Sequence, residues 1–403
     1  MTGPAPSAPA GDAPLEDVTV LELGHIVAGP FCTLILADLG ADVIKVENRS
    51  HGGDSVRDSS ELGTSLFNAM NRNKRSVTVD LKDEQGRAVF EDLVDEADIV
   101  VENFGPGVTE RLGVDYETLS AIDEALIYCS IKGFGEGPYE EYPALDPITE
   151  ALSGLMSVTG LPDEQPVRVG TSISDMAASF FAAVGILSAL RDRDRTGEGS
   201  YVEAPMFEST MPLMSYWLAY SQAHDIVPEP IGASHLNWAP YDVFQTADDE
   251  WTFVGPSSER HWERLCDALE TDLDEDERFA TMDDRREHRG ELRDRLADEF
   301  NHWTQDEVLE RLRESGVPVA PVNDVGDVID DEHLAATDAL TEIETTEGTS
   351  TSVDVPKLPL RSNRFEPPEG EQPPALGEHT DEVLRELGYD DAELQALHER
   401  DAL

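Results

Sequence analysis

From its start to about residue 131, the chain alternates short apolar runs with longer amphipathic ones. Val18 to Leu23, Asp42 to Glu47, Val77 to Leu81, Ile99 to Glu102 and Leu126 to Ile131 are short and rich in Val, Ile and Leu, as strands buried on both faces are. Between them, Phe31 to Leu39, Glu84 to Glu96 and Tyr116 to Ile122 carry apolar residues at helical spacing. This alternation predicts a parallel sheet covered by helices, an α/β fold with a large Rossmann-like domain. Ligands in such sheets bind beyond the carboxyl ends of the strands, where Asn103, Phe104 and Lys132 fall. No Gly-x-Gly-x-x-Gly follows the first strand, so a nicotinamide dinucleotide is not indicated.

The later pattern predicts a second, smaller α+β domain. It opens with the irregular Asp225-Ile-Val-Pro-Glu-Pro-Ile-Gly, contains strands at Tyr241 to Gln245 and Trp251 to Val254, and continues with helical runs from His261 and Thr304. A strand-like Val-Pro-Val-Ala-Pro-Val follows Gly316, and a Pro- and Glu-rich stretch at 366 to 375 precedes a helical end. The expected division is a flexible tail over 1–14, a large domain over 15–221, a small domain over 222–322, and a linker with a C-terminal segment over 323–403.

Between the two regions, Arg168-Val-Gly-Thr-Ser-Ile-Ser-Asp175 runs straight into the apolar stretch Met176 to Leu190. That places Asp175 in the first turn of a buried helix. Unpaired N–H groups and the positive end of the helix dipole would hold the carboxylate ionised there, a candidate nucleophile aimed into the adjoining cleft. Asp is also an ordinary helix cap, so the position alone does not decide its role.

Composition narrows the setting. Asp plus Glu number 85 against 29 Lys plus Arg, a formal net charge of −56. Nucleic acid and anionic membranes are poor partners for such a surface. With 39% hydrophobic residues in periodic runs, the chain buries a core rather than remaining disordered. An acidic surface of this kind suits a cytoplasm with very high salt, where cations screen the self-repulsion, and a salt-requiring cytoplasmic enzyme is expected. Cys32, Cys129 and Cys266 are too scattered for a disulfide framework or a zinc site. No metal is called for. Residues 1–14 lack the features of a secretory signal, and no charge-free segment reaches transmembrane length.

Several blocks occur together in one order: Leu21-Glu-Leu-Gly-His25-Ile-Val-Ala28-Gly29-Pro30, Leu36 to Glu47, Asn73-Lys74-Arg75-Ser76, Val101-Glu-Asn103-Phe104-Gly-Pro-Gly107, Ile131-Lys132-Gly133, Ser153 to Gly160, Asp175, and Leu376 to Gly388. Taken together they resemble the family III CoA transferases, the group that includes formyl-CoA and carnitine CoA-transferases and the acyl-CoA racemases. The resemblance implies two chains interlocked as rings, a small domain inserted in the large one, and acyl-CoA as a substrate, with no tightly bound cofactor.

By the same resemblance Asp175 is the nucleophile. It attacks the donor thioester, passes through an acyl aspartyl anhydride and aspartyl-CoA, and returns CoA to a small carboxylic acid. Oxyanion donors are expected from backbone N–H groups near Asp175 and in Gly232-Ala-Ser-His235. The positions matching CoA contacts are His25, Val27, Ala28, Lys74, Arg75, Asn103, Phe104, Arg111 and Lys132. Asn48 stands where a family member has a nucleotide-contacting arginine, and Lys45 or Arg49 is expected to replace it. Arg57, Ser234, His235 and Asn237 are candidates for receiving a second carboxylate. Succinyl-CoA as donor and a C4 or C5 dicarboxylate such as mesaconate as acceptor are the leading expectation, with aromatic acids, carnitine and formyl/oxalate pairs as alternatives. A racemase needs a second base facing the substrate, and the matching position is Leu145, which carries no proton. A CoA-binding protein without activity and a hydrolase are the remaining readings.

Overall fold

The computed structural model describes residues 13–57, 59–345 and 352–403. Most of the expected N-terminal tail, residues 1–12, lies outside the described residues. Two compact units emerge. The first comprises residues up to Leu155, Arg168–His224 and Glu332–Leu403, and the second Met156–Val167 and Asp225–Asp331.

The first unit is built on six parallel strands: β1 (Thr19–Glu22), β2 (Asp42–Glu47), β3 (Lys74–Thr78), β4 (Ile99–Glu102), β5 (Ile127–Ser130) and β6 (Ser200–Glu203). Their spatial order is β3-β2-β1-β4-β5-β6, all neighbours parallel. The order reverses between β1 and β4, so a crevice opens beyond their carboxyl ends. Val20, Leu21, Ile99, Val100 and Val101 are completely buried, which explains why these strands read as continuous apolar runs. One layer packs helix Ala28–Asp38 and helix Ile173–Thr196 on the sheet through Cys32, Leu36, Ala178, Ala182 and Ile186. The other packs Phe90, Leu93 and Val94 with the C-terminal side chains Val383, Leu384, Leu394 and Leu397. The end of the chain is fastened to β3, with His379 N–H donating to Ser76 O at 2.9 Å and Thr78 N–H to Thr380 Oγ1 at 3.0 Å.

Three elements differ from the sequence expectation. The strand predicted at Val77 to Leu81 lies three residues earlier, because polar Lys74 and Ser76 pair with β2 and are buried by specific partners rather than by apolar character. β6 was not anticipated, since its Ser-Tyr-Val-Glu sequence is that of a half-exposed edge strand. The helix carrying Asp175 runs over 24 residues, Ile173–Thr196, and is buried on one face only: Ala177, Ala178, Ala182 and Ile186 are inside, while Phe180, Phe181 and Val184 are exposed. It is the one described helix long and apolar enough to cross a membrane, but its buried alanine face belongs to the core.

In the second unit, β7 (Asp242–Gln245), β8 (Trp251–Val254) and β9 (Val319–Pro321) form an antiparallel sheet in that order. Helices Glu259–Leu269, Arg289–Phe300 and Gln305–Glu314 close a core around Trp262, Phe279 and Phe300. Met156–Val167, counted with the large domain from sequence, belongs to this unit, and Gly232 N–H donates to Gly160 O at 2.9 Å within it.

Candidate active site

A cleft of about 580 Å³ opens in the first unit beyond the ends of β1, β4 and β5. Its lining includes His25, Ile26, Val27 and Ala28 after β1, Asn103 and Phe104 after β4, Lys132 after β5, and Asp146 and Asp175 from two helices. The loops after β1 and β4 hold each other. His25 N–H donates to Asn103 Oδ1 at 2.8 Å, and Asn103 Nδ2 donates back to His25 O at 3.0 Å. The His25 ring lies 5.4 Å from the Phe104 ring, and burial, aided by nearby Lys45, pushes its imidazole below the usual histidine range. Gly24 and Gly29 make this corner possible, because a Cβ on either would come within 2.9 Å or less of the other's Cα.

Ile26 adopts φ +66°, a left-handed conformation that costs a β-branched residue energy. The compensation lies beneath it. Asp54 accepts Ile26 N–H at 3.2 Å, Lys45 Nζ reaches Asp54 at 3.0 Å, Glu22 at 2.7 Å and Gly24 O at 2.9 Å, and Lys74 Nζ reaches Glu22 at 2.8 Å. The side chains of Lys45, Lys74, Glu22 and Asp54 are fully buried. Burial alone would raise the Glu22 carboxyl, but two lysines overcome it and bring it down to about 2. Glu22 is shared, and among the described residues Lys74 otherwise bonds to Pro30 O and Asn71 Oδ1, both neutral, so burial pushes its ammonium down to about 8.

These contacts correct the sequence assignment. Lys45 and Lys74 do not line the cleft; they shape its floor from below. Arg57 is also buried, bound to Glu47 at 2.6 Å and Pro374 O at 2.9 Å, and is not available to a substrate. Arg75 pairs with Asp42 and Glu386 on the outer side of β3, and Arg111 donates to Gly107 O at 2.7 Å on its own turn. Neither lines the cleft. Asn48 and Arg49 bond to Asp80 and Thr78 instead. Of the cations assigned to CoA, Lys132 is the one that lines the cleft, its ammonium 3.1 Å from Glu203 and 5.8 Å from the Tyr201 ring. Ser234, His235 and Asn237 belong to the second unit, where His235 stacks on Trp238 and Ser234 bonds to Arg289.

Asp175 is the third residue of its helix, and the helix start is capped by another carboxylate. Asp146 Oδ1 accepts Ser174 N–H at 2.8 Å and Asp175 N–H at 3.3 Å, while Met176 N–H bonds to Ser172 O. The N–H groups expected to serve as oxyanion donors beside Asp175 are therefore taken. The expectation that the helix terminus holds Asp175 ionised is likewise reversed: burial first, and the Asp146 charge second, push its carboxyl up to about 7. Its main chain is fixed by Ser179 Oγ, which donates to Asp175 O at 2.8 Å and to Ala28 O at 2.6 Å and so links the helix to the loop after β1. The start of helix Ala28–Asp38 has no side-chain cap; Pro30 has no N–H and Phe31 N–H bonds to Val27 O, so Ala28, which lines the cleft, is the helix-start residue placed to donate to a developing oxyanion. Leu145, 63% exposed at the rim, offers no second base. Asp146 escaped notice as a functional residue, although Asp146-Pro147 before an apolar run is a helix-start signal.

Residues 15–380 match the family described as CoA-transferase family III. The chain is 37% identical over 391 residues to succinyl-CoA:mesaconate CoA-transferase of Haloarcula hispanica, covering 93% of this chain and 96% of the relative. It is 36% identical over 399 residues to acetyl-CoA:oxalate CoA-transferase of Acetobacter aceti, covering 97% and 100%. Among solved structures, a CAIB/BAIF family protein from Brucella suis superposes with a TM-score of 0.86 at 34% identity, covering 93% of this chain and all of that one.

Proposed function

Because the chain belongs to CoA-transferase family III, we propose that it moves CoA from succinyl-CoA to a C4 or C5 dicarboxylate such as mesaconate, with Asp175 as the covalent relay. The observation that carries the relay is the Asp175 carboxylate itself, which faces the cleft with its own helix terminus occupied by Asp146. A carboxylate not tied up by N–H donors and lifted to about 7 is more basic than an ordinary aspartate, and so a better nucleophile in its ionised form.

The bonds balance without water or metal. An Asp175 oxygen attacks the thioester carbonyl, and the C–S bond breaks to give CoA thiolate and a mixed anhydride. The thiolate attacks the aspartyl carbonyl, releasing the donor acid and leaving aspartyl-CoA. The acceptor carboxylate displaces the thiolate to form a second anhydride, and the thiolate then takes the acceptor acyl group, restoring Asp175. Ala28 N–H at the uncapped start of helix Ala28–Asp38 is the oxyanion donor, and Lys132 and the His25–Asn103 corner bind CoA. The choice of acids follows the names of the Haloarcula relative and of a succinyl-CoA–D-citramalate CoA-transferase from Chloroflexus aurantiacus at 36% identity.

Intact-protein mass spectrometry with succinyl-CoA and hydroxylamine trapping tests this reading. A trapped modification should map to Asp175 and be missing from Asp175→Ala. Exchange of an acyl α-hydrogen without any modification would point to a racemase instead.

The assembly and setting are part of the same proposal. Phe180, Phe181 and Val184 form an exposed apolar stripe on the helix that carries Asp175, and a second copy of the chain covers it. In a high-salt cytoplasm the charge of −56 is screened; at about 0.1 M salt the Debye length is near 10 Å and repulsion between carboxylates acts across the surface. Moving from about 2 M to about 0.1 M KCl should therefore lower Tm by roughly 10 °C or more and split the dimer. Scanning calorimetry and light scattering check both; an unchanged Tm rules out the salt requirement, and a monomer at high salt rules out the pairing.

A further inference from the structure

Asp146 and Glu150 lie one turn apart on helix Asp146–Ser153 and are almost inaccessible, at 5% and 0% exposure. Each uses one oxygen as an acceptor. Asp146 Oδ1 takes the N–H groups of Ser174 and Asp175, and Glu150 Oε2 takes Val169 N–H at 2.9 Å. The remaining oxygens, Asp146 Oδ2 and Glu150 Oε1, are buried and meet no donor among the described residues. The two residues are four apart on the helix, so their side chains lie on the same face one above the other, and the Asp146 carboxyl acts directly on that of Glu150. Two buried carboxylates in contact strongly resist being charged together, and a buried acceptor without a donor is costly. A single proton between them removes both penalties.

We propose that Asp146 and Glu150 hold one proton between them at neutral pH, carried on Glu150 Oε1 and donated to Asp146 Oδ2. The neighbours decide which partner carries it. Asp146 Oδ1 already accepts two N–H groups at the start of a 24-residue helix, which leaves Oδ2 placed as an acceptor. Glu150 has one N–H, and burial, with Asp146 acting in the same direction, raises its carboxyl above the usual range. The other charged groups on the elements packed around the pair are Asp175 in the first turn of helix Ile173–Thr196, with Arg191, Asp192, Arg193, Asp194 and Arg195 more than four turns further along it, Arg168 on the segment before it and Glu208 on helix Met206–Thr210. Arg168 favours ionised Glu150 but is exposed, so water screens it; Glu208 is turned to Gly135 N–H and adds negative charge.

The consequence concerns Asp175 and rests on its role as the relay. With the proton in place, one negative charge, on Asp146, stands beside it. That charge raises the energy of the free Asp175 carboxylate but not of its neutral anhydride and thioester forms, so it favours attack. Were Glu150 charged as well, Asp146 Oδ2 would lose its donor and a second buried negative charge would stand on the same helix face. Glu150 is thus a positioning residue that acts through Asp146.

Infrared difference spectra of the whole protein in molar KCl read the proton directly. At about pH 8.5, above the value of about 7 for Asp175, wild type minus Glu150→Gln should show the C=O stretch of one protonated, buried carboxyl. Glu102, also pushed up by burial, is common to both proteins and cancels. If Glu150→Gln folds poorly, wild type minus Asp146→Asn should show the same band displaced, because its acceptor has changed. No band in either difference overturns the proposal. The pH profile of kcat/KM gives a second reading: Asp146→Asn removes a charge and should lower the acid limb by about one unit, whereas Glu150→Gln exchanges one neutral donor for another and should hold it within about 0.3 unit. A Glu150→Gln limb that falls as far as that of Asp146→Asn means that Glu150 was charged, and the proposal fails. The infrared arm needs no CoA transfer, so its failure and that of the functional reading are separable.

Discussion

Replacing Asp175 by alanine should abolish CoA transfer by roughly 10⁴-fold or more, because in the proposed relay every covalent step passes through that carboxylate. Acyl-CoA should still bind, since the His25–Asn103 corner and Lys132 are untouched. The companion Asp175→Asn should be more stable than wild type at pH 8. The carboxyl rises from its ordinary 3.8 to about 7 in the folded protein. An acid held more tightly protonated when folded stabilises the fold at low pH, and that advantage is lost as pH rises from about 4 to about 7. Asparagine has no proton to lose, so the gap between variant and wild type should be small near pH 4 and widen to about 1–3 kcal/mol above pH 7. The unscreened figure from 1.36 kcal/mol per pK unit is roughly 4 kcal/mol, reduced because the cleft admits water. Thermal melts of both proteins at pH 4.5 and pH 8 in molar KCl check this, and equal melting points at pH 8 would mean that Asp175 is not held at an energetic cost.

The sheet was legible because its strands are apolar on both faces, and β1, β2, β4 and β5 lie where the short Val- and Ile-rich runs place them. The place of Asp175 in the first turn of its helix was legible because a polar stretch turns abruptly apolar beside it. Two of the lysines assigned to CoA face the interior for one reason. In a chain with five lysines, retained charge suggests ligand contact, whereas Lys45 and Lys74 persist because buried Glu22 and Asp54 require partners. Sequence shows that a lysine is present; only packing shows which way it faces. The protonation of Asp175 was hidden likewise, since the helix terminus predicts a lowered pKa until Asp146, 29 residues away, is seen to occupy it.

Lys45→Met is the substitution with the largest expected cost to folding. It leaves Glu22 with Lys74 as its single cation and strips Asp54 of a partner at 3.0 Å, and removing one member of a buried ion pair costs about 3–5 kcal/mol. The loss should be largest near neutral pH and shrink toward acid pH, where the carboxylates that Lys45 pairs are protonated in both proteins. Glu22 sits at about 2 in the folded protein against an ordinary 4.5, so its contribution, roughly 3 kcal/mol, is complete above pH 4.5 and disappears as pH falls through 2. Weakening that pairing brings acid unfolding to higher pH. Adding Asp54→Asn removes the second unmatched charge and should recover part of the stability, because Glu22 and Lys74 then balance. The double variant should still have a raised KM for acyl-CoA, since the charged two-oxygen acceptor that holds Ile26 N–H at φ +66° is replaced by one neutral amide oxygen, which holds the strained loop after β1 less firmly in the cleft wall. Denaturant melts at pH 7 and pH 4 with steady-state kinetics separate the two effects. Restored stability together with wild-type KM would show that the buried network serves the fold alone and does not shape the site.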